Sequence, residues 1–287
     1  MRPLAQQVIL VTGATDGLGK AVATELALAG ATVLVHGRSA ERLKATAEEI
    51  QTQAGDGRLR PYRADFASLA QVRAMAQEIL GQEDRLDVLV NNAGIGTTLR
   101  GEDDRLVSED GLELRFAVNY LAHFALTGAL QELLIASAPA RIVNVSSAGQ
   151  APIDFGDVML ERRYSGVQAY CQSKLAQVMH TLDLAEELGP RRVNVNCLHP
   201  ATYMPTKMVL AARGSAVSTL EEGVRATLRL VAAPELDRVT GRYFEGEREA
   251  AAHPQAYEAE ARARLRGLSR QLIGTPDSTR SDLPSTH

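Results

Sequence analysis

The passage from Val8-Ile9-Leu10-Val11 into Thr12-Gly13-Ala14-Thr15-Asp16-Gly17-Leu18-Gly19 constrains this chain more than any other. A continuous apolar and β-branched run suits a strand buried on both faces, which implies a parallel sheet packed between helices. The run ends in a loop with three glycines, and from Gly17 to Gly30 the residues Leu18, Ala21, Val22, Leu26 and Ala27 fall at helical spacing. Strand, glycine loop and helix in that order bring a tight turn to the positive end of a helix, where a pyrophosphate can be held. Taken alone, the loop also fits a plain turn.

The alternation continues along the chain. Strands are expected at Thr32 to His36, Leu59 to Ala64, Leu86 to Val90, Arg141 to Val145 and Val193 to Leu198. Helices are expected over about Ala40 to Gln53, Ser68 to Leu80, Leu112 to Ala136 and Gln168 to Leu188. Right-handed βαβ crossovers of this length give an α/β fold: a single Rossmann-type, doubly wound parallel sheet of about seven strands with helices on both faces. One domain is expected over 1–273. Residues 149–166 and 203–217 break the rhythm after strand ends and are the expected substrate walls, and the polar tail 274–287 reads as disordered.

Across 287 residues, 31 Lys plus Arg face 35 Asp plus Glu, a formal charge of -4 that offers no field for nucleic acid or an anionic membrane. A small-molecule partner is expected. No stretch approaches the ~18 apolar residues of a bilayer span, and Met1 to Gln7 lacks a secretory pattern, so a cytoplasmic location is expected. Cys171 and Cys197 have no metal or redox spacing and read as free thiols. The six histidines form no ligand motif, so no protein-held metal is expected.

The spacing TGxxxGxG over Thr12 to Gly19, followed by Asn91-Asn92-Ala93-Gly94 after a strand, resembles the short-chain dehydrogenase/reductase family. The resemblance spans about residues 5 to 250. It implies a nicotinamide cofactor held by Gly13, Thr15, Asp16, Gly17, Leu18 and Gly19, by Asp65 and Phe66, by Asn92, Ala93 and Gly94, and by Tyr170, Lys174, Pro200 and Thr202. Asp65 can equally cap the next helix. The second strand ends in His36-Gly37-Arg38-Ser39, without the acid that would repel a 2'-phosphate. Arg38 can pair with that phosphate, which favours NADP(H) over NAD(H). A solvated Arg38 is the plainer alternative. Asp16 weighs against NADP(H), since some NADP-preferring relatives carry a base there.

Tyr170-Cys171-Gln172-Ser173-Lys174 places a phenol and an ammonium four residues apart, on one face of a helix. Lowering a phenol from a pKa of ~10 to near 7 takes about 4 kcal/mol, and a nearby ammonium has the right sign to contribute it. A YxxxK pair is common by itself. Here it follows Asn119 on a long helix and Ser146-Ser147 at a strand end, in the order of the family, which implies a catalytic set of Tyr170, Lys174, Ser147 and Asn119. Either serine can donate to a substrate oxygen. The resemblance assigns Ser147, and the reverse assignment stays open.

After the sixth strand, His199-Pro200-Ala201-Thr202 has alanine where the family has glycine; if that glycine serves a positive φ, either strain at Ala201 or a different loop is expected. The stretch from Arg163 through Tyr170 to Gln177, with His199-Pro200, resembles the retinol-dehydrogenase-like branch. That branch handles lipophilic carbonyls and alcohols, but its animal members often add a membrane anchor, which is not expected here, so retinoids are not implied. Between Ser147 and Tyr170 the chain inserts a longer loop. Its Phe155, Val158, Met159, Leu160 and Tyr164 can line a pocket, cover a subunit face or pack as core. Homodimers or homotetramers are what the family allows.

The expected function is carbonyl and alcohol oxidoreduction. The alternative is a non-catalytic NADP-binding regulator on the same fold, which would not need all four catalytic residue types. An epimerase or dehydratase ordinarily needs a longer carboxyl-terminal domain.

Overall fold

The computed structural model describes residues 1–55, 58–97, 105–206, 209 and 215–274. Its centre is a sheet of β1 (Val8–Val11), β2 (Thr32–Gly37), β3 (Arg58–Arg63), β4 (Val88–Asn91), β5 (Ala140–Val145), β6 (Val193–His199), β7 (Arg242–Glu245) and β8 (Arg248–Ala250). The strands lie in the order β3-β2-β1-β4-β5-β6-β7-β8. Neighbours pair in parallel throughout, except β7 with β8. The expected sheet of about seven parallel strands is present, with an antiparallel eighth added at its edge.

Parallel pairing forces each return over a face of the sheet. The returns are made by α1 (Gly17–Leu28), α2 (Ala40–Ala54), α3 (Leu69–Gln82), α4 (114–136), α5 (Gly166–Leu188) and α6 (Leu220–Ala232), with α7 (Ala259–Leu272) last. Side chains of β1 alternate between two cores. Val8 and Leu10 pack with α3 and α4, whereas Ile9 and Val11 pack with α1, α2 and α6. Ile9, Leu10 and Val11 are fully buried, each stabilising the fold by about 1.5–3 kcal/mol. A third cluster joins Phe116 and Tyr120 of α4, Met179 of α5 and Leu265 of α7.

Two details differ from the periodic reading. The long helix begins at Leu114, where the Glu113 carboxylate accepts the Phe116 N–H at 2.7 Å, and a π-helical turn occupies Ala117–Leu121. The tyrosine-bearing helix begins at Gly166, with Ser165 Oγ accepting the Gln168 N–H at 3.4 Å. Among the described residues no helix is long and apolar enough to cross a membrane.

From β1 the chain runs to β2 and β3 on one side and then crosses to β4 on the other. The crevice of such a sheet opens at the carboxyl ends of the two strands flanking that reversal. The loop after Val11 and the Asn91–Gly94 stretch both emerge there.

Candidate active site

The glycine loop is shaped by hydrogen bonds from β4. Thr12 Oγ1 accepts the N–H groups of Asn92 at 2.8 Å and Ala93 at 3.0 Å, and Asn92 Nδ2 donates back to the Thr12 carbonyl at 2.8 Å. Gly13 has φ +66°, and a Cβ there would meet Ala93 Cα at 2.8 Å. A Cβ on Gly19 would lie 2.3 Å from both Asn92 Nδ2 and the Gly13 carbonyl oxygen. Only a loop without side chains at these points fits against β4. Asp16 caps α1, its Oδ1 accepting the Gly17 N–H at 2.8 Å. Leu18 is buried beneath the loop, and Thr15 packs on Gly37.

At the end of β2, Arg38 is exposed and its carbonyl oxygen accepts from Arg63 Nε at 3.2 Å. Arg42, which the sequence reading did not single out, donates to Asp16 Oδ2 at 2.9 Å and to the Thr15 carbonyl at 3.2 Å. The acid that weighed against NADP(H) is thus paired with a base from α2. Asp65 Oδ1 accepts the Ala67 N–H at 2.9 Å, a turn ahead of the next helix, whose cap position is held by Ser68. Phe66 is buried, its ring stacked on His36 with centroids 4.3 Å apart.

Three of the four expected catalytic residues meet at the ends of β4 and β5, and the fourth reaches them from the π turn. Ser146 is buried and donates to the Lys174 carbonyl at 2.8 Å. Ser147 is half-buried and accepts the Gly149 N–H at 3.0 Å. A carbon placed on Gly149 would lie 3.5 Å from Ser147 Oγ and 3.9 Å from Tyr170 Cε1, so both side chains border one space. Burial raises the Tyr170 phenol above its ordinary range, and a hydrogen bond with Ser147 opposes that. Lys174 Nζ lies 5.7 Å from the Tyr170 ring centroid and donates to the Val145 carbonyl at 3.0 Å. Burial lowers its ammonium to about 7. Asn119 is fully buried: Oδ1 accepts the Ile95 N–H at 2.8 Å and Nδ2 donates to Ser173 Oγ at 3.0 Å. Gly94 sits against Asn119 Oδ1 and Lys174 Nζ.

Sequence reasoning missed the polar core behind these groups. Lys174 Nζ also donates to Gln177 Oε1 at 2.9 Å, and Gln177 Nε2 lies 3.3 Å from His123 Nδ1. The Gly13 N–H donates to His36 Nδ1 at 3.1 Å. Burial holds His36 neutral, lowering it to about 4, and His123 at about 3. No local motif marks these residues, because three different elements bring them together.

Beyond β6, Pro200 is buried and Thr202 Oγ1 lies 3.1 Å from His199 Nε2. Of the two outcomes expected at Ala201, strain or a different loop, the structure has the second. The left-handed residue is Tyr203, with φ +51°, so the chain turns two positions later. Tyr203 faces Tyr170 closely enough to raise its phenol, and its carbonyl accepts the Val217 N–H at 2.9 Å. Residues 207–208 and 210–214 of this loop, and 275–287 of the tail, lie outside the described residues.

The insertion is largely core. Ile153, Val158 and Leu160 are buried, Gln172 Nε2 donates to the Val158 carbonyl at 2.7 Å, and the Tyr164 hydroxyl donates to Glu113 at 3.1 Å. Ordinary packing, one of the alternatives for this loop, describes these residues. α7 lies across α4 and α5, with Arg262 Nε donating to Asp183 at 2.8 Å and the Tyr120 hydroxyl 2.7 Å from Ser269 Oγ.

A family model described as short chain dehydrogenase matches residues 7–215. Retinol dehydrogenase 13 of Mus musculus is 37% identical over 286 residues, covering 93% of this chain and 84% of its own length. Retinol dehydrogenase 14 of Homo sapiens is 35% identical over 295 residues, covering 93% and 86%. A solved protein of uncharacterised function from Mycobacterium Paratuberculosis superposes with a TM-score of 0.75 at 30% identity, covering 96% of each chain. A chain described as a short chain dehydrogenase from Escherichia coli CFT073, solved with NADPH, gives 0.69 at 29% identity, covering 84% of this chain and 97% of its own.

Proposed function

This chain belongs to the short-chain dehydrogenase family, on its retinol-dehydrogenase-like side, and from that premise we propose an NADP(H)-dependent oxidoreductase that interconverts a lipophilic carbonyl compound and its alcohol. The convergence of Ser147 and Tyr170 on one space, with Lys174 and Asn119 behind them, carries this reading.

The residues present fit a dinucleotide. The loop at Gly13 and Gly19 has no room for side chains, and its backbone leads into the amino end of α1. Arg38, Arg42 and Arg63 gather where β2 and β3 end, which supports the 2'-phosphorylated cofactor. The solved NADPH complex among the similar chains supports it too. When bound, NADP(H) supplies or accepts the hydride at the substrate carbon.

The chain's own residues then handle the oxygen and the proton. Ser147 donates to the substrate oxygen and stabilises the charge that develops on it. Tyr170 gives that oxygen its proton in reduction and takes it back in oxidation. The Lys174 ammonium favours the phenolate left behind. Asn119, tied to Ile95 through both carboxamide atoms, fixes the backbone after β4 beside the lysine. An apolar substrate is supported by exposed Tyr203, which faces Tyr170, by exposed Val217 beside Tyr203, and by exposed Val167, three residues before Tyr170 on α5.

The test follows NADPH absorbance with aldehydes and ketones of increasing chain length, beside NADH. Turnover that rises with apolar length and prefers NADPH is expected. Stable NADPH binding with no turnover across the panel would favour the non-catalytic regulator instead.

A further inference from the structure

We propose that Gln177 is a positioning residue for Lys174, its carboxamide fixing where the lysine ammonium sits between Tyr170 and the end of β5. The inference rests on the oxidoreductase reading of Tyr170 and Lys174.

The lysine side chain enters the core between α4, α5 and β5 and is only 5% exposed. A buried ammonium requires acceptors. Among the described residues two carbonyl oxygens serve it: the Val145 backbone at 3.0 Å and Gln177 Oε1 at 2.9 Å. The first belongs to the sheet and is the same whatever side chain stands there. The second belongs to a side chain three residues further along α5, on the same helix face and itself 2% exposed. The choice of residue at 177 therefore decides half of the ammonium's partners.

The ammonium faces the carbonyl end of the carboxamide, so the amide end points the other way, toward His123 Nδ1 at 3.3 Å. That nitrogen also lies 3.0 Å from the Asn119 carbonyl oxygen, so it either donates to that carbonyl or accepts from the Gln177 amide, according to its tautomer. In either tautomer the ring presents no acceptor to the lysine, so it does not compete for the ammonium. Its Nε2 lies 3.4 Å from Thr12 Oγ1, the hydroxyl that takes the Asn92 and Ala93 N–H groups. Lysine, glutamine and histidine thus form one packed row ending at the glycine loop.

The titratable groups facing Lys174 are Tyr170 on its own helix, His123 from α4 and His199 from β6. Burial lowers both histidines, so neither adds a standing positive charge at neutral pH. Among the described residues both acceptors of the ammonium are neutral. A carbonyl at 177 holds the charged form less firmly than a carboxylate and more firmly than an apolar group.

The test labels lysine side chains with 15N in the full-length protein and follows Nζ protonation by NMR, the Lys174 signal being identified by its loss in Lys174→Arg. Gln177→Met is expected to lower the Lys174 midpoint by about one pH unit, and Gln177→Glu to raise it by at least that much. In NADPH-driven reduction of an aldehyde, the alkaline limb of kcat is expected to move in the same two directions while KM for NADPH stays within about twofold. Midpoints unchanged in both variants would overturn the inference. Midpoints that move as stated, in a protein that reduces no aldehyde, would sink the oxidoreductase reading and leave the role of Gln177 intact.

Discussion

Burial moves Tyr170 and Lys174 in opposite directions: the phenol rises above its ordinary range and the ammonium falls to about 7, with Nζ 5.7 Å from the phenol ring centroid. Both shifts favour the neutral form. A protonated phenol is the form that gives its proton to a new alkoxide, so on the proposed mechanism these shifts favour the reducing direction.

That pairing fixes a pH dependence. The lysine charge is present below about 7 and lost above it, while the phenol stays protonated through the neutral range. The kcat of NADPH-driven reduction is therefore expected to be highest below about pH 7 and to fall above it. Steady-state rates at saturating NADPH from acid to mildly alkaline pH check this, and a rate that climbs through that range would contradict it.

The two serines are expected to separate by readout. Ser147→Ala removes the hydroxyl bordering the shared space and should lower kcat by about 100-fold, or about 3 kcal/mol, with little loss of stability. Ser146→Ala breaks a buried bond to the Lys174 carbonyl and should cost about 1 kcal/mol of stability in urea unfolding, with the smaller effect on rate.

Cofactor choice is expected to depend on two arginines. Arg38→Ala should weaken NADPH binding by about tenfold, or 1.4 kcal/mol, and leave NADH nearly unchanged. Arg42→Ala should do the same and also leave Asp16 without this partner beside the phosphate loop. Fluorescence titration with each cofactor distinguishes the outcomes.

A single methyl group tests the loop. Gly19→Ala would put carbon 2.3 Å from the Gly13 carbonyl oxygen, so backbone must move. We expect a loss of about 1–3 kcal/mol of stability and at least tenfold weaker NADPH binding. Thermal unfolding and cofactor titration measure the two effects.

The fold was legible where strands are buried on both faces. β1 and β4 are buried at every position, and such runs leave few alternatives. β8, Arg-Glu-Ala, is the edge strand and β7, Arg-Tyr-Phe-Glu, lies next to it; both are short and carry charges, so periodicity did not reveal them. The π turn at Ala117–Leu121 likewise has no pattern of its own. At the site, Tyr170 and Lys174 could be read from spacing because one helix carries both. Arg42 against Asp16, and Gln177 against His123, could not, since each contact joins residues brought together only by the packed fold. The choice at Ala201 between strain and a different loop also needed the packed fold: the loop differs, with the positive φ on Tyr203.

Proton transfer by Tyr170 is tested most directly by Tyr170→Phe, with turnover and NADPH binding measured on the same preparation. Turnover is expected to fall by at least about 100-fold, the low end of a positioned acid's contribution, while the dissociation constant for NADPH changes by less than about threefold. A variant that reduces aldehydes at the parent rate would contradict the account.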